Sequence, residues 1–121
     1  MEIDYDFNLY EIECIDQVED LIHKEKNLNG FCVTMPYKEQ ILSYLNTLSS
    51  TAKACGNVNC VKIIRQNNNI ELQGYNTDAY GFEESLKPLL EPHHRKALVF
   101  GDGGAAKAVK YVLNKLGISF L

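Results

Sequence analysis

The stretch Gly30-Phe31-Cys32-Val33-Thr34-Met35-Pro36-Tyr37-Lys38 constrains this chain more than any other. Its short apolar, β-branched run reads as a buried strand. Pro36 stops that strand, because proline has no N–H to donate and a fixed φ. Lys38 then begins a helix-period pattern, so it stands at the C-terminal mouth of a strand, where ligands bind in open α/β sheets. A lysine at a helix start is more often simply solvated, and position alone makes Lys38 a candidate and no more.

The flanking pattern extends this strand into an α/β unit. Alternation over residues 4–14, with Phe7, Leu9 and Ile12 against Asn8, Glu11 and Glu13, predicts a strand. Asp16-Gln17-Val18-Glu19 reads as a capping-box variant opening a helix with Val18, Leu21 and Ile22 as its apolar stripe. Asn29-Gly30 closes that unit, since both residues tolerate φ > 0. A helix over 37–45 follows the central strand, with Ile41, Leu42 and Leu45 on one side. Ser49 and Ser50 are candidate caps for a short helix over 51–55, ended by Gly56. Residues 57–64 and 70–75 read as the two strands of a hairpin, with turn chemistry at 66–69. Strand, helix, strand, helix and hairpin in this order describe an α/β layer.

Gly74-Tyr75-Asn76-Thr77-Asp78 is a polar junction leading into a helix over 79–90, with Thr77 or Asp78 as its N-cap. Pro88 should distort the last turn. Residues 91–95 read as a linker, with His93 and His94 solvated rather than metal-bound. Ala97-Leu98-Val99-Phe100 is then a compact buried strand running into Gly101-Asp102-Gly103-Gly104-Ala105-Ala106 and a helix over 105–116, with Gly117 as its stop. Residues 118–121 begin another strand. In this setting G-x-G-x-x-A reads as a dinucleotide loop. Gly101 allows the tight turn, Gly103 lets backbone N–H groups approach a pyrophosphate, and Ala106 allows close helix–strand packing. Asp102 puts a carboxylate into a loop built for an anion, which weakens phosphate binding unless it points away. The residue that reads the ribose falls about 20 positions after the first glycine, at the last residues of the chain, so this stretch does not separate NAD from NADP.

Composition removes several function classes. The 121 residues, 45% hydrophobic and 23% charged, fit an ordinary soluble globular domain with a sizeable core. A net charge of −4 argues against a broad grip on nucleic acid or anionic membrane. No apolar run has the length of a membrane span, and a start carrying Glu2, Asp4 and Asp6 is unlike a signal peptide. Cys14, Cys32, Cys55 and Cys60 form no C-x-x-C, and they fit buried thiols in a reducing cytoplasm better than disulfides or zinc ligands.

Two polar spots, Thr34/Lys38 and Asn76/Asp78, follow separate predicted strands. If those strands are neighbours, Lys38 and Asp78 converge at one sheet edge. A lysine–carboxylate pair there can hold substrate hydroxyls and move a proton to or from an oxygen. The plainer alternative is a structural ion pair.

Four motifs in order and approximate spacing, Gly30 through Lys38, Gly56-Asn57-Val58-Asn59, Gly74 through Asp78 with Ala79-Tyr80-Gly81, and Gly101 through Ala106, resemble those of shikimate dehydrogenases. The resemblance implies an α/β fold, with a three-layer substrate-binding domain, mostly parallel sheet with helices, over residues 1–91. The first βα unit of a Rossmann domain follows over 92–121. It implies reversible reduction of 3-dehydroshikimate to shikimate with NADP(H) and no metal. By the same resemblance Lys38 and Asp78 are the catalytic pair, with Lys38 protonating the nascent oxyanion. Thr34, Lys38, Asn59 and Asp78 hold the substrate, and Gly101, Gly103, Gly104 and Ala105 form the cofactor phosphate loop. Cys32, Asn57, Cys60 and Asp102 stand where the family usually has Asn, Ala, Thr and a small residue.

Family members also carry an earlier strand and helix with a Ser-x-Ser motif for the substrate carboxylate, and the rest of a Rossmann sheet. The expectation is therefore a piece of the enzyme, inactive or nearly so by itself, whose open sheet edge favours self-association. The alternatives are a paralogue acting on quinate and a non-catalytic binding module.

Overall fold

The hairpin at the centre of the fold is fixed by its turn. In the computed structural model, which describes residues 2–121, β3 (Cys60–Gln66) and β4 (Asn69–Tyr75) pair antiparallel from Gln66↔Asn69 to Cys60↔Tyr75. Asn67 and Asn68 both take positive φ, 50° and 65°, as a two-residue turn matching strand twist requires. β1 (Gly30–Cys32) adds antiparallel to β3, and β2 (Thr47–Leu48), which the sequence pattern does not predict, adds parallel to β4. The order is β1-β3-β4-β2. The α/β class is as expected. Within this sheet, however, only β2–β4 is parallel, because a two-residue turn can only return the chain antiparallel.

Helices close one face of this sheet. α1 (Gln17–Lys24) contributes Val18 and Ile22 to a core with Val33, Ile41, Ala52, Val58, Val61, Ile63 and Leu72. Full burial of a side chain such as Ile41 is worth about 1.5–3 kcal/mol. The expected capping box does not form. Asp16 has helical backbone and makes no cap bond; its carboxylate accepts from the Tyr44 hydroxyl instead, which pushes the Tyr44 pKa up to about 12. The far end of α1 is held by Arg65, whose guanidinium donates to the carbonyls of Ile22, Glu25 and Leu28. Gly30 does not adopt positive φ. It is needed because a Cβ there would lie 2.6 Å from the Val61 carbonyl oxygen.

After the cis Met35–Pro36 bond, α2 (Tyr37–Gln40) tightens into a 3-10 turn over Ile41–Tyr44. The helix expected through 45 ends there because Leu45 is already extended and leads into β2. α3 (Ser50–Cys55) carries the expected caps: Ser49 Oγ accepts from Ala52 N at 3.1 Å, and Gly56 closes it at φ 69°. α4 (Asp78–Leu86) passes into a 3-10 turn at Lys87–Leu89 that contains Pro88. β5 (Lys96–Ala97) and β6 (Ser119–Phe120) form a second, parallel sheet joined by α5 (Gly104–Lys115). Cys55, Ala79, Ala108 and Val112 make a second core, with Phe82, Tyr111 and Leu116 packed on it, which binds α3, α4 and α5 together.

Two predicted strands are absent or cut short, although the second keeps a bond from Val99 N to Leu121 O at 2.9 Å: alternation or apolarity alone does not set the extent of a strand. Residues 4–14 are irregular, with Phe7 and Leu9 exposed. The run over 97–100 is strand only at its start, and Leu98 and Phe100 are 67% and 93% exposed because no described element covers them. Among the described residues, no helix is long and apolar enough to cross a membrane.

Candidate functional site

β1 and β4 are not neighbours, since β3 lies between them. Both run antiparallel to β3, however, so they are parallel to each other and end at the same edge of the sheet. α2 and α4 leave from that edge. Their first turns bring Lys38 Nζ to 2.6 Å from Asp78 Oδ2, with the side chains 18% and 34% exposed. The Lys38 carbonyl accepts from Val58 N at 2.8 Å, which ties α2 to the chain entering β3.

Asn59 sets the other carboxylate oxygen. Its Nδ2 donates to Asp78 Oδ1 at 2.9 Å and to Thr77 Oγ1 at 2.8 Å, while its Oδ1 accepts from Thr77 N at 2.8 Å. Both amide protons are thereby committed, so Asn59 orients Asp78 and offers a ligand only its remaining oxygen lone pair. A partly exposed ammonium against an oriented carboxylate is an arrangement able to hold a hydroxyl and exchange a proton with an oxygen.

The glycine loop lies against the same lysine. A Cβ on Gly104 would stand 3.2 Å from Lys38 Cδ and 3.6 Å from Asn57 Nδ2. Asn57 is fully buried and donates to the Gly104 carbonyl at 3.1 Å. It accepts from Asn76 Nδ2 at 2.7 Å, and Asn76 Oδ1 accepts from Ala79 N at 3.1 Å. Asn76, rather than Thr77 or Asp78, is thus the residue that caps α4. This chain of bonds runs from the first turn of α4 to the first turn of α5. The sequence marks Asn57 only as a departure from the family pattern and gives it no role; its one local sign is an amide inside an apolar run after Gly56.

The loop itself fits a phosphate group. Gly101 has φ 114°, and a Cβ on Gly101 or Gly103 would meet nothing within 4 Å, so the outer side of the loop is open. The leading N–H groups of α5 have no intrahelical partners and face that end. The Asp102 carboxylate binds Lys110 Nζ at 2.7 Å, and this bond and charge hold its pKa below the usual carboxylate range. Lys107 reaches across to Glu39 at 2.7 Å, linking α5 to α2.

Thr34 is placed differently. It is exposed, its carbonyl accepts from Tyr37 N at 2.9 Å, and no hydrogen bond joins its side chain to Lys38, Asn59 or Asp78. It lies on the wall of an apolar cavity of about 590 Å³ with Phe7, Leu9, Leu21, Phe31 and Val33, a wall that does not include the ion pair. His94 accepts from Glu91 N at 3.0 Å, and His93 lies 3.4 Å from the Glu91 carboxylate.

Comparison with known proteins identifies the family of the chain. A family model described as the shikimate dehydrogenase substrate binding domain matches residues 1–61. Shikimate dehydrogenase (NADP(+)) of Syntrophomonas wolfei is 47% identical over 96 residues, which cover 78% of this chain and 31% of that protein. The shikimate dehydrogenase structure from Aquifex aeolicus superimposes with a TM-score of 0.74 at 38% identity, covering 88% of this chain and 40% of that one. The Thermus thermophilus enzyme, solved in complex with shikimate, does so with a TM-score of 0.69 at 33% identity and the same coverage. The chain spans about a third of the length of the curated relatives it matches. With half of its residues matched by the family's own domain, and its fold shared with the family's solved structures, this chain belongs to the shikimate dehydrogenase family.

Proposed function

We propose that the chain provides the substrate pocket and the opening of the cofactor loop of an NADP-dependent shikimate dehydrogenase, which reversibly reduces 3-dehydroshikimate to shikimate. The observation that carries this reading is the Lys38–Asp78 pair at 2.6 Å, oriented by Asn59 and pressed on by Gly104. Residues 1–91 would form the substrate domain and 92–121 the start of the cofactor domain, a division supported by the two separate sheets. The α4–α5 packing spans that division.

When bound, NADPH supplies the hydride that reaches the carbonyl carbon. Gly101, Gly103, Gly104 and Ala105 would hold its pyrophosphate on their N–H groups. Lys38 Nζ donates a proton to the carbonyl oxygen as negative charge develops there, a transfer worth about 10²–10⁴ in rate. Asp78 fixes the ammonium through Oδ2 and accepts a hydrogen bond from a ring hydroxyl of the substrate. Thr34 and the free lone pair of Asn59 Oδ1 are the remaining candidate ligands. A small-molecule substrate and a cytoplasmic setting accord with this chemistry and with a thiol-bearing sequence.

Calorimetric titration of the chain with shikimate, quinate and NADPH tests the reading. Heat of shikimate binding that disappears in Lys38→Ala and in Asp78→Asn supports it. Tighter binding of quinate than of shikimate transfers the assignment to a quinate enzyme. Shikimate binding unchanged in both variants makes the pair a structural salt bridge and removes the proposal.

A further inference from the structure

Cys32 and Cys60 stand directly opposite each other across β1 and β3. The ladder bonds on either side define the site between them. Val33 N donates to Asn59 O at 2.8 Å, and Ile63 N donates to Asn29 O at 2.9 Å. Hydrogen-bonded and non-hydrogen-bonded pairs alternate along an antiparallel ladder, so Cys32 and Cys60 form a non-hydrogen-bonded pair. At such pairs the Cα atoms are about 4.5 Å apart and the side chains are at their closest. A disulfide accepts Cα separations of about 4.4–6.8 Å.

The two thiols also share an accessible face. Val61 and Ile63 point to the core, so Cys60 and Lys62 point the other way, beside the exposed Cys32 and opposite the exposed Tyr75 of β4. Burial, and after it the nearby Cys32, raises the Cys60 pKa. The other two cysteines are placed apart: Cys55 is buried in the core with Ala108 and Val112, and Cys14 lies on the irregular N-terminal segment.

We propose that Cys32 and Cys60 are a reversible dithiol–disulfide couple, a redox modification site that clamps the end of β1 to the start of β3. The oxidant is a low-molecular-weight disulfide of the glutathione type. The exposed Cys32 thiolate attacks one sulfur of that disulfide, forming a mixed disulfide and releasing one glutathione thiolate. The Cys60 thiolate then attacks the Cys32 sulfur, forming the Cys32–Cys60 bond and releasing the second glutathione. The two protons lost by the cysteine thiols are taken up by the two departing glutathione thiolates, so both electrons and both protons end on the two released glutathione thiols. The Cβ atoms of facing strand residues sit about 4.5–5.5 Å apart, slightly wide for a bridge, so closure draws β1 toward β3. Cys60 follows Asn59 directly and Cys32 leads into the Thr34–Lys38 turn, so the clamp acts on the edge that carries the ion pair.

The test equilibrates the folded chain in glutathione redox buffers, quenches with acid, alkylates free thiols in denaturant and maps the products by mass spectrometry. The expected product is an intramolecular species two hydrogens lighter that joins the Cys32 and Cys60 peptides, with Cys14 and Cys55 alkylated. Dithiothreitol reverses it, and Cys60→Ser stops at one glutathione on Cys32. The same oxidation in urea gives mixed pairings, so selectivity in native buffer reports the fold. A native product bridged through Cys14, a disulfide-linked dimer, glutathione adducts without a bridge, or thiols left unmodified would each overturn the proposal.

Discussion

Replacing Asn57 with alanine should destabilise the chain by about 1.5–4.5 kcal/mol, a figure that follows from two bonds. Asn76 is 5% exposed, and in Asn57→Ala it loses its 2.7 Å acceptor. Its Nδ2 is left with only the backbone carbonyl of residue 57 at 3.4 Å. Leaving a buried donor so poorly satisfied costs about 1–3 kcal/mol. The Gly104 carbonyl loses its 3.1 Å donor too, but Gly104 is half-buried and water can replace that donor, so the loss there is about 0.5–1.5 kcal/mol. Against a typical total stability of about 5–15 kcal/mol, the sum is a large share. Urea denaturation followed by circular dichroism measures it, with an unchanged m-value establishing that only stability moved. Amide exchange at Lys107, whose N–H donates to the Gly103 carbonyl at 3.1 Å, should accelerate as well, since Asn57 ties the first turn of α5 to the substrate sheet. A loss within about 0.5 kcal/mol, the usual range for a surface substitution, would show that the buried amide chain does not hold α4 and α5 together.

Glu83 accepts from Lys115 Nζ and Lys87 Nζ, both at 2.7 Å, and these bonds lower its pKa. Its native pKa is depressed, so its contribution is present above the usual carboxylate pKa, about 4.3, and is lost as pH falls through the native value. The urea midpoint should therefore drop on acidification toward pH 3, and drop less in Glu83→Gln. Gly30→Ala drives a methyl to 2.6 Å from the Val61 carbonyl oxygen, an overpacking that costs about 1–3 kcal/mol or shifts β1, seen as a lower thermal midpoint. A wild-type midpoint would contradict the close approach of β1 and β3. Ser49→Ala removes the acceptor for Ala52 N and should cost about 1 kcal/mol by urea unfolding, whereas Ser50→Ala, one residue inside the helix, should cost less.

Local chemistry was legible wherever the cause lies within a few residues. The Asn67-Asn68 turn, the Ser49 and Gly56 caps and the glycine loop ahead of α5 depend on φ preferences and on bonds spanning three or four positions. Capping shows where that reach ends. Asp16 and Asp78 both have the right type and spacing to cap, but Asp16 is drawn to Tyr44 and Asp78 to Lys38, residues 28 and 40 positions away. A carboxylate goes to the strongest donor in reach, and which donor is in reach is a tertiary property.

The sequence alone determined that Lys38 and Asp78 each stand where a helix begins after a strand, and that a glycine loop opens the last helix. Only the tertiary structure decided that these three places are one place. The meeting depends on β1 and β4 both pairing with β3, which makes them parallel and turns their ends to one edge. The same pairing sets Cys32 against Cys60, and the packing of α4 on α5 brings Asn57 under Gly104. Residues 4–14 show the converse: their alternation is that of a strand, but a strand is defined by the partner that takes its hydrogen bonds, and no described strand pairs with them.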